Sequence, residues 1–168
     1  GLVHRQEAVQ IVDGVTFVND SKATNTNATA KALVCYENIY WIVGGRPKED
    51  GLEGLSDHLS DVRHAFLIGE SALEFSAFFD GNISMTMAGD LETAVDKAYQ
   101  MAKQEGLSKP VVLLSPACAS FDQFANFEAR GDAFKEMVEA LTGIHQDPFE
   151  EPDLFPIKRV SKSIGVGS

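Results

Sequence analysis

The sequence predicts an α/β fold: a mainly parallel sheet with helices on both faces, preceded by a β-hairpin. Three observations predict it. Short apolar runs at 39–43, 65–69 and 111–114 read as strands buried on both sides, as parallel sheets require. Stretches with helical apolar spacing alternate with those runs, as crossover connections demand. Asp13-Gly14 stands between two β-branched runs, at 8–12 and 15–18, and both residues tolerate the positive φ of a two-residue hairpin turn.

The hairpin's second strand ends at Asn19-Asp20, and a polar loop follows, Ser21-Lys22-Ala23-Thr24-Asn25. An Ala-rich helix is predicted over 26–36, with Ala28, Ala32 and Cys35 on its apolar side. The strand at 39–43 runs into Gly44-Gly45-Arg46-Pro47-Lys48, where glycine permits a tight turn and close ligand approach. A short helix is expected at 52–59, a strand at 65–69, and a helix at 71–79 with Ser71 and Glu74 at capping-box spacing. A short strand at 83–87 comes next. Asp90 is the expected N-cap of a helix over 91–105, whose apolar face is Leu91, Ala94, Val95, Ala98 and Met101. Lys109-Pro110 introduces the strand at 111–114. Ser115 to Phe124 is a loop rich in small residues, and an amphipathic pattern fills 125–141. Past Gly143 the period fails, and an acidic, proline-punctuated stretch gives way to a Lys/Ser/Gly-rich end. Residues 1–143 therefore read as one domain and 144–168 as a tail, expected to be mobile.

Composition narrows the function. The chain has 168 residues, 44% of them hydrophobic, and a formal net charge of −11. That balance argues against non-specific nucleic-acid binding, which needs a basic surface, yet a few local cations can still dominate one cleft. No apolar run approaches a membrane span and no signal peptide is visible. Cys35 and Cys118 have neither disulfide-framework nor zinc spacing, so a reduced, cytoplasmic setting fits, with each thiol a small buried hydrophobe. The chain opens on Gly rather than Met, and the expectation is a piece cut from something longer.

Three loops fall at the carboxyl ends of predicted strands: 20–25, 44–48 and 115–121. In an open parallel sheet such loops converge. They bring Lys22 and Lys48 as cations and Thr24, Ser115 and Ser120 as hydroxyls, a set suited to a carboxylate or phosphate ligand. Singly, each lysine also reads as a solvated surface residue, and the serine loop as an ordinary strand-to-helix turn. Neither GxGxxG nor GxxxxGK[ST] is present, so the usual phosphate cradles are missing. No histidine sits in a nucleophile motif, and no metal or covalent catalytic residue is expected. His4-Arg5, just before the hairpin, reads either as a surface pair or as a pair reaching a nucleotide.

Three motifs match one family. His4-Arg5-x-Glu7, Asn19-Asp20-Ser21-Lys22-Ala23-Thr24-Asn25, and Ser115-Pro116-Ala117-Cys118-Ala119-Ser120-x-Asp122-Gln123-Phe124 resemble the Mur ligases of bacterial cell-wall synthesis. The last, continued by Asn126-Phe127-Glu128 and Arg130-Gly131, is similar to the D-glutamate-adding branch, and the spacing of Gly44-Gly45-x-x-Lys48 agrees. The likeness runs from Gly1 to about Gly143. It implies a Rossmann-like fold that lacks the dinucleotide fingerprint. It also implies the third, C-terminal domain of a ligase whose central domain carries the P-loop, the magnesium ligands and a carbamylated lysine.

The family chemistry is ATP-dependent amide formation. ATP phosphorylates the L-alanine carboxylate of UDP-N-acetylmuramoyl-L-alanine, and the amine of D-glutamate displaces phosphate through a tetrahedral intermediate. Carried over by motif position, Thr24, Lys48, Ser120 and Phe127 hold D-glutamate, Phe127 through its backbone N–H, with Lys22 beside them. Arg5 and Asp20 lie near the nucleotide, with His4 also a candidate. The implied cofactors are ATP and Mg2+, held mainly by the central domain. The implied partners are D-glutamate, UDP-N-acetylmuramoyl-L-alanine, and the N-terminal and central domains of the same enzyme, with no nucleic acid and no membrane. The isolated chain is expected to be inactive. The other class of reading is a binding or regulatory module that kept the fold without the chemistry.

Overall fold

A computed structural model of the chain describes residues 2–49 and 51–158. The last ten residues of the expected tail lie outside the described residues. A hairpin, β1 (Glu7–Val12) and β2 (Val15–Asn19), opens the chain. Its turn residues Asp13 and Gly14 both take positive φ, +49° and +82°. Then come α1 (Thr26–Leu33), β3 (Ile39–Gly44), a 3-10 turn (Glu53–His58), β4 (Val62–Ile68), α2 (Ala72–Phe79) and β5 (Met85–Gly89). The chain continues through α3 (Leu91–Glu105), β6 (Val111–Leu114), α4 (Phe127–Glu139) and β7 (His145–Gln146).

Among the described residues seven strands form one sheet in the order β5-β4-β3-β6-β2-β1-β7. β5, β4, β3, β6 and β2 are parallel, and β1 and β7 are antiparallel additions at one edge. Alternate residues of the central strands point to opposite faces, as the two-residue period dictates. Trp41, Val43, Leu67 and Leu113 pack under α1, the 3-10 turn and α2. Tyr40, Ile42, Phe66 and Leu114 pack under α3 and α4. Both faces are covered, as the apolar runs predict.

Helix ends follow local chemistry. Asn25, Asp90 and Asn126 are extended N-caps whose side chains accept from the backbone N–H three residues on. Ser71 does not cap α2. Its backbone is already helical (φ −80°, ψ −5°), so its hydroxyl cannot turn back onto the first turn. α1 ends at Leu33, earlier than the predicted 36, and frees Tyr36 to enter the core. The chain past 143 also adds to the sheet: β7 pairs with β1 through Ile11 and Val12. The following strap lays Phe155 against Tyr36, stacks Phe149 on Phe155, and brings Lys158 to Asp61 at 2.8 Å. Among the described residues no helix is long and apolar enough to cross a membrane.

Candidate functional site

β6 lies between β2 and β3, so the crossover through α1 passes over it. The carboxyl ends of β2, β3 and β6 therefore share one crevice, the place where open α/β sheets bind ligands. The three loops leaving these ends are bonded to one another. Ala117 N–H donates to the Ala23 carbonyl at 2.9 Å. Arg46 and Ala119 exchange both backbone bonds, at 2.9 and 3.2 Å. Gly45 N–H donates to the Ser71 hydroxyl at 3.2 Å, which is where that hydroxyl is used instead of at a helix cap.

Such close approach requires Gly45. At φ +136°, a Cβ there would stand 2.5 Å from the Ala119 carbonyl oxygen.

Arg130 stands in the continuation of the serine motif, where motif reading gives it no role, and the structure makes it part of the site. It stands on α4, 1% exposed, and its guanidinium is spent on neutral oxygens. Nε donates to Ser21 Oγ at 2.8 Å, Nη2 to the Ser21 carbonyl at 2.7 Å and Nη1 to the Cys118 carbonyl at 3.0 Å. Ser21 Oγ in turn donates to the Phe127 carbonyl at 2.7 Å. One side chain thus ties the β2 loop, the β6 loop and the start of α4 together. Burial pushes its pKa down to about 10, so it stays charged at neutral pH. A signal was available: Arg130 lies on the same stripe as buried Phe134 and Val138, four residues apart each. Cys118 is a buried thiol pushed up to about 11 by desolvation, which leaves it protonated and structural.

Asp20, at the end of β2, is 3% exposed. It accepts from Ser115 Oγ at 2.7 Å and from Gln6 N–H at 3.1 Å. Burial raises its pKa from 3.8 to about 6 against the opposing pull of those bonds and of Arg5. Between these two values the folded chain holds a proton that the unfolded chain has released, so folding stability falls as pH rises through the window. Asp20→Asn is therefore expected to stabilise the chain by about 1–2 kcal/mol at pH 7.5 and by little at pH 4. Urea unfolding at both pH values checks this, and an equal change at both would assign the effect to hydrogen bonding alone.

The residues before the hairpin form a tight strap around this carboxylate. His4 and Gln6 both have positive φ, +64° and +43°. The His4 carbonyl accepts from Lys22 N–H, and its amide donates to Glu7. The residue is 6% exposed, with Asn19 Nδ2 at 2.9 Å from Nδ1 and Asp132 at 3.6 Å from Nε2. It packs edge-on to Phe127, against the space left by Gly131. His4 thus holds the strap down, while Arg5 is turned out to solvent.

The D-glutamate candidates sit around the same edge. Ser120 is buried, Thr24 and Phe127 are half-buried, and Lys22 and Lys48 are exposed. Phe127 is the first residue of α4, so its N–H is one of the donors the helix cannot use itself. Lys22 Nζ stands 6.0 Å from the Phe127 ring centroid.

Fold and loops together define an α/β domain of the dinucleotide-binding type with a cationic, hydroxyl-bearing rim at its strand ends. The family described as "Mur ligase, glutamate ligase domain" matches residues 4–118, and the chain belongs to that family. It is 51% identical over 141 residues to a UDP-N-acetylmuramoylalanine–D-glutamate ligase of Paramagnetospirillum magneticum, covering 84% of this chain and 31% of that protein. It is 52% identical over 145 residues to the protein of the same name from Brucella abortus, covering 86% of this chain and 31% of the relative. The chain thus spans about a third of the length of the curated relatives it matches.

Proposed function

We propose that this chain is the D-glutamate-binding domain of an ATP-dependent ligase that joins D-glutamate to UDP-N-acetylmuramoyl-L-alanine. The observation that carries the reading is the bonding of the 20–25, 44–48 and 115–121 loops into one rim that bears Thr24, Lys48 and Ser120. D-Glutamate carries two carboxylates, and such a ligand calls for cations together with hydroxyl and backbone donors. Lys48 and Lys22 supply charge, Thr24 and Ser120 hydroxyls, and Phe127 its unused N–H. Arg5 reaches the nucleotide from the strap that His4 pins, and Asp20 lies behind it on the wall of the same cavity.

The nucleophile in this chemistry is the amine of the substrate. The domain's contribution is orientation and charge neutralisation as it closes against the rest of the protein. Among the described residues no group of three or more His, Cys, Asp or Glu could hold a metal ion. We assign magnesium and the bulk of the ATP site to the other domains. The family's motif residues are all in place, which favours this reading over a module that lost the chemistry.

Lys48→Ala in the complete ligase is expected to raise the KM for D-glutamate about tenfold to a hundredfold, the loss of one charge-assisted bond at roughly 1.5–3 kcal/mol. The KM for ATP should hardly move. Steady-state kinetics with each substrate varied gives the answer, and unchanged D-glutamate kinetics would remove Lys48 from the site.

A further inference from the structure

A cavity of about 390 Å³ opens beside the strap, between it, the β2 loop and α1, and Arg5, Lys22 and Lys31 all line it. The chain carries 25 acidic side chains against 14 Lys and Arg. Even so, among the described residues none of these three cations lies within ion-pair distance of a carboxylate. Asp20 is the acidic residue on the cavity wall, and it is turned to Ser115 and the Gln6 amide. Asn25 and Asn27 complete a polar lining. Three cations without an ion pair, of which only Arg5 feels the buried Asp20 carboxylate, converge in an acidic chain and make a local positive field that an anion can neutralise.

We propose that Lys31 is a third cation of this cavity, binding a phosphate group of the nucleotide together with Arg5, with Lys22 shared between that phosphate and D-glutamate. The proposal rests on the assignment of Arg5 and Asp20 to the nucleotide and extends it to a residue of α1 that lies outside every motif. Lys31 stands in the last turn of α1, where a basic side chain also complements the helix dipole. The two roles separate cleanly. A helix-stabilising role moves the melting temperature of K31Q and leaves phosphate affinity alone, whereas a ligand role does the reverse.

The test is an amide NMR titration of the 168-residue chain with inorganic tripolyphosphate and, separately, with ADP. Three proteins are compared: the parent chain, K31Q, and K97Q on α3 across the sheet. Tripolyphosphate is expected to shift Arg5, Lys22, Asn27 and Lys31. K31Q should bind it about three- to tenfold more weakly, with a shallower salt dependence, and K97Q within about twofold of the parent. Equal affinities for K31Q and K97Q overturn the proposal, as does the lack of any shift up to about 20 mM tripolyphosphate. ADP shifts at Arg5 and Asp20 without any at Lys31 overturn it too, and leave the nucleotide assignment standing. The nucleotide assignment falls separately if ADP leaves Arg5 and Asp20 unshifted while tripolyphosphate still moves Lys31.

Discussion

Gly45→Ala is expected to lower the unfolding free energy by about 3–5 kcal/mol. Two costs add. The backbone at φ +136° is one that L side chains rarely adopt, and the added methyl would lie 2.5 Å from the Ala119 carbonyl oxygen and 3.1 Å from Cys118 Cβ. The first obstacle is backbone, so no rotamer change relieves it. The loops after β3 and β6 must move apart, and the paired Arg46–Ala119 bonds are the contacts that stretch first. The same displacement carries Lys48 away from Ser120. The mutant should therefore lose D-glutamate affinity along with stability. Gly81→Ala is the control, since its Cβ position is open and only the positive φ of +78° is strained. Urea unfolding of both variants decides it, and equal midpoints would mean the close approach costs nothing.

The sheet and its hairpin were legible because their signals are local. Asp13-Gly14 demanded a turn with positive φ, and the double-sided apolar runs demanded helices on both faces. Asp90 was legible as a cap because only its own side chain and the Thr93 N–H, 2.8 Å away, take part. What failed to show depended on distant partners. β4 begins at Val62 instead of 65, through Arg63 and His64, whose polarity hides the strand. Arg63 is used at Asn38 and His64 at Thr86, both from neighbouring strands or their approaches. β7 is two polar residues held by backbone pairing to β1, with no apolar period to betray it. Its approach is fixed by Asp13, which accepts from the Ile144 N–H at 2.9 Å and from Tyr99 Oη at 2.5 Å. Those contacts join the hairpin turn to residues more than eighty positions on, which no local window contains.

The site divides the same way. Thr24, Lys48 and Ser120 were legible as a convergence because loop positions at strand ends follow from topology. The strap was not. A buried histidine beside an exposed arginine needs Gly131 on a distant helix to leave room for the ring, and nothing in His4-Arg5 itself announces that.

Arg130→Met should destabilise the chain by about 2–4 kcal/mol, and the sign of that effect is the informative part. Removing the guanidinium has one favourable consequence, because the folded state no longer buries a charge that desolvation has already driven down to about 10 in pKa. Against it stand three hydrogen bonds of 2.7 to 3.0 Å to Ser21 and Cys118. Both carbonyls would be left in the interior without these donors, and an unsatisfied buried group costs about 1–3 kcal/mol. Two such groups outweigh the relief from desolvation, so the net change is a loss. Arg130→Lys retains the charge but offers a point donor in place of a planar fork, and should recover only part of the loss. Since Arg130 joins the loops that carry Thr24 and Ser120, both variants should also raise the D-glutamate KM in the complete ligase. Urea unfolding of this chain and kinetics of the complete protein measure the two effects. A Met variant as stable as the parent would show that the buried charge and its bonds cancel, and an unchanged D-glutamate KM would show that the loops hold their places without it.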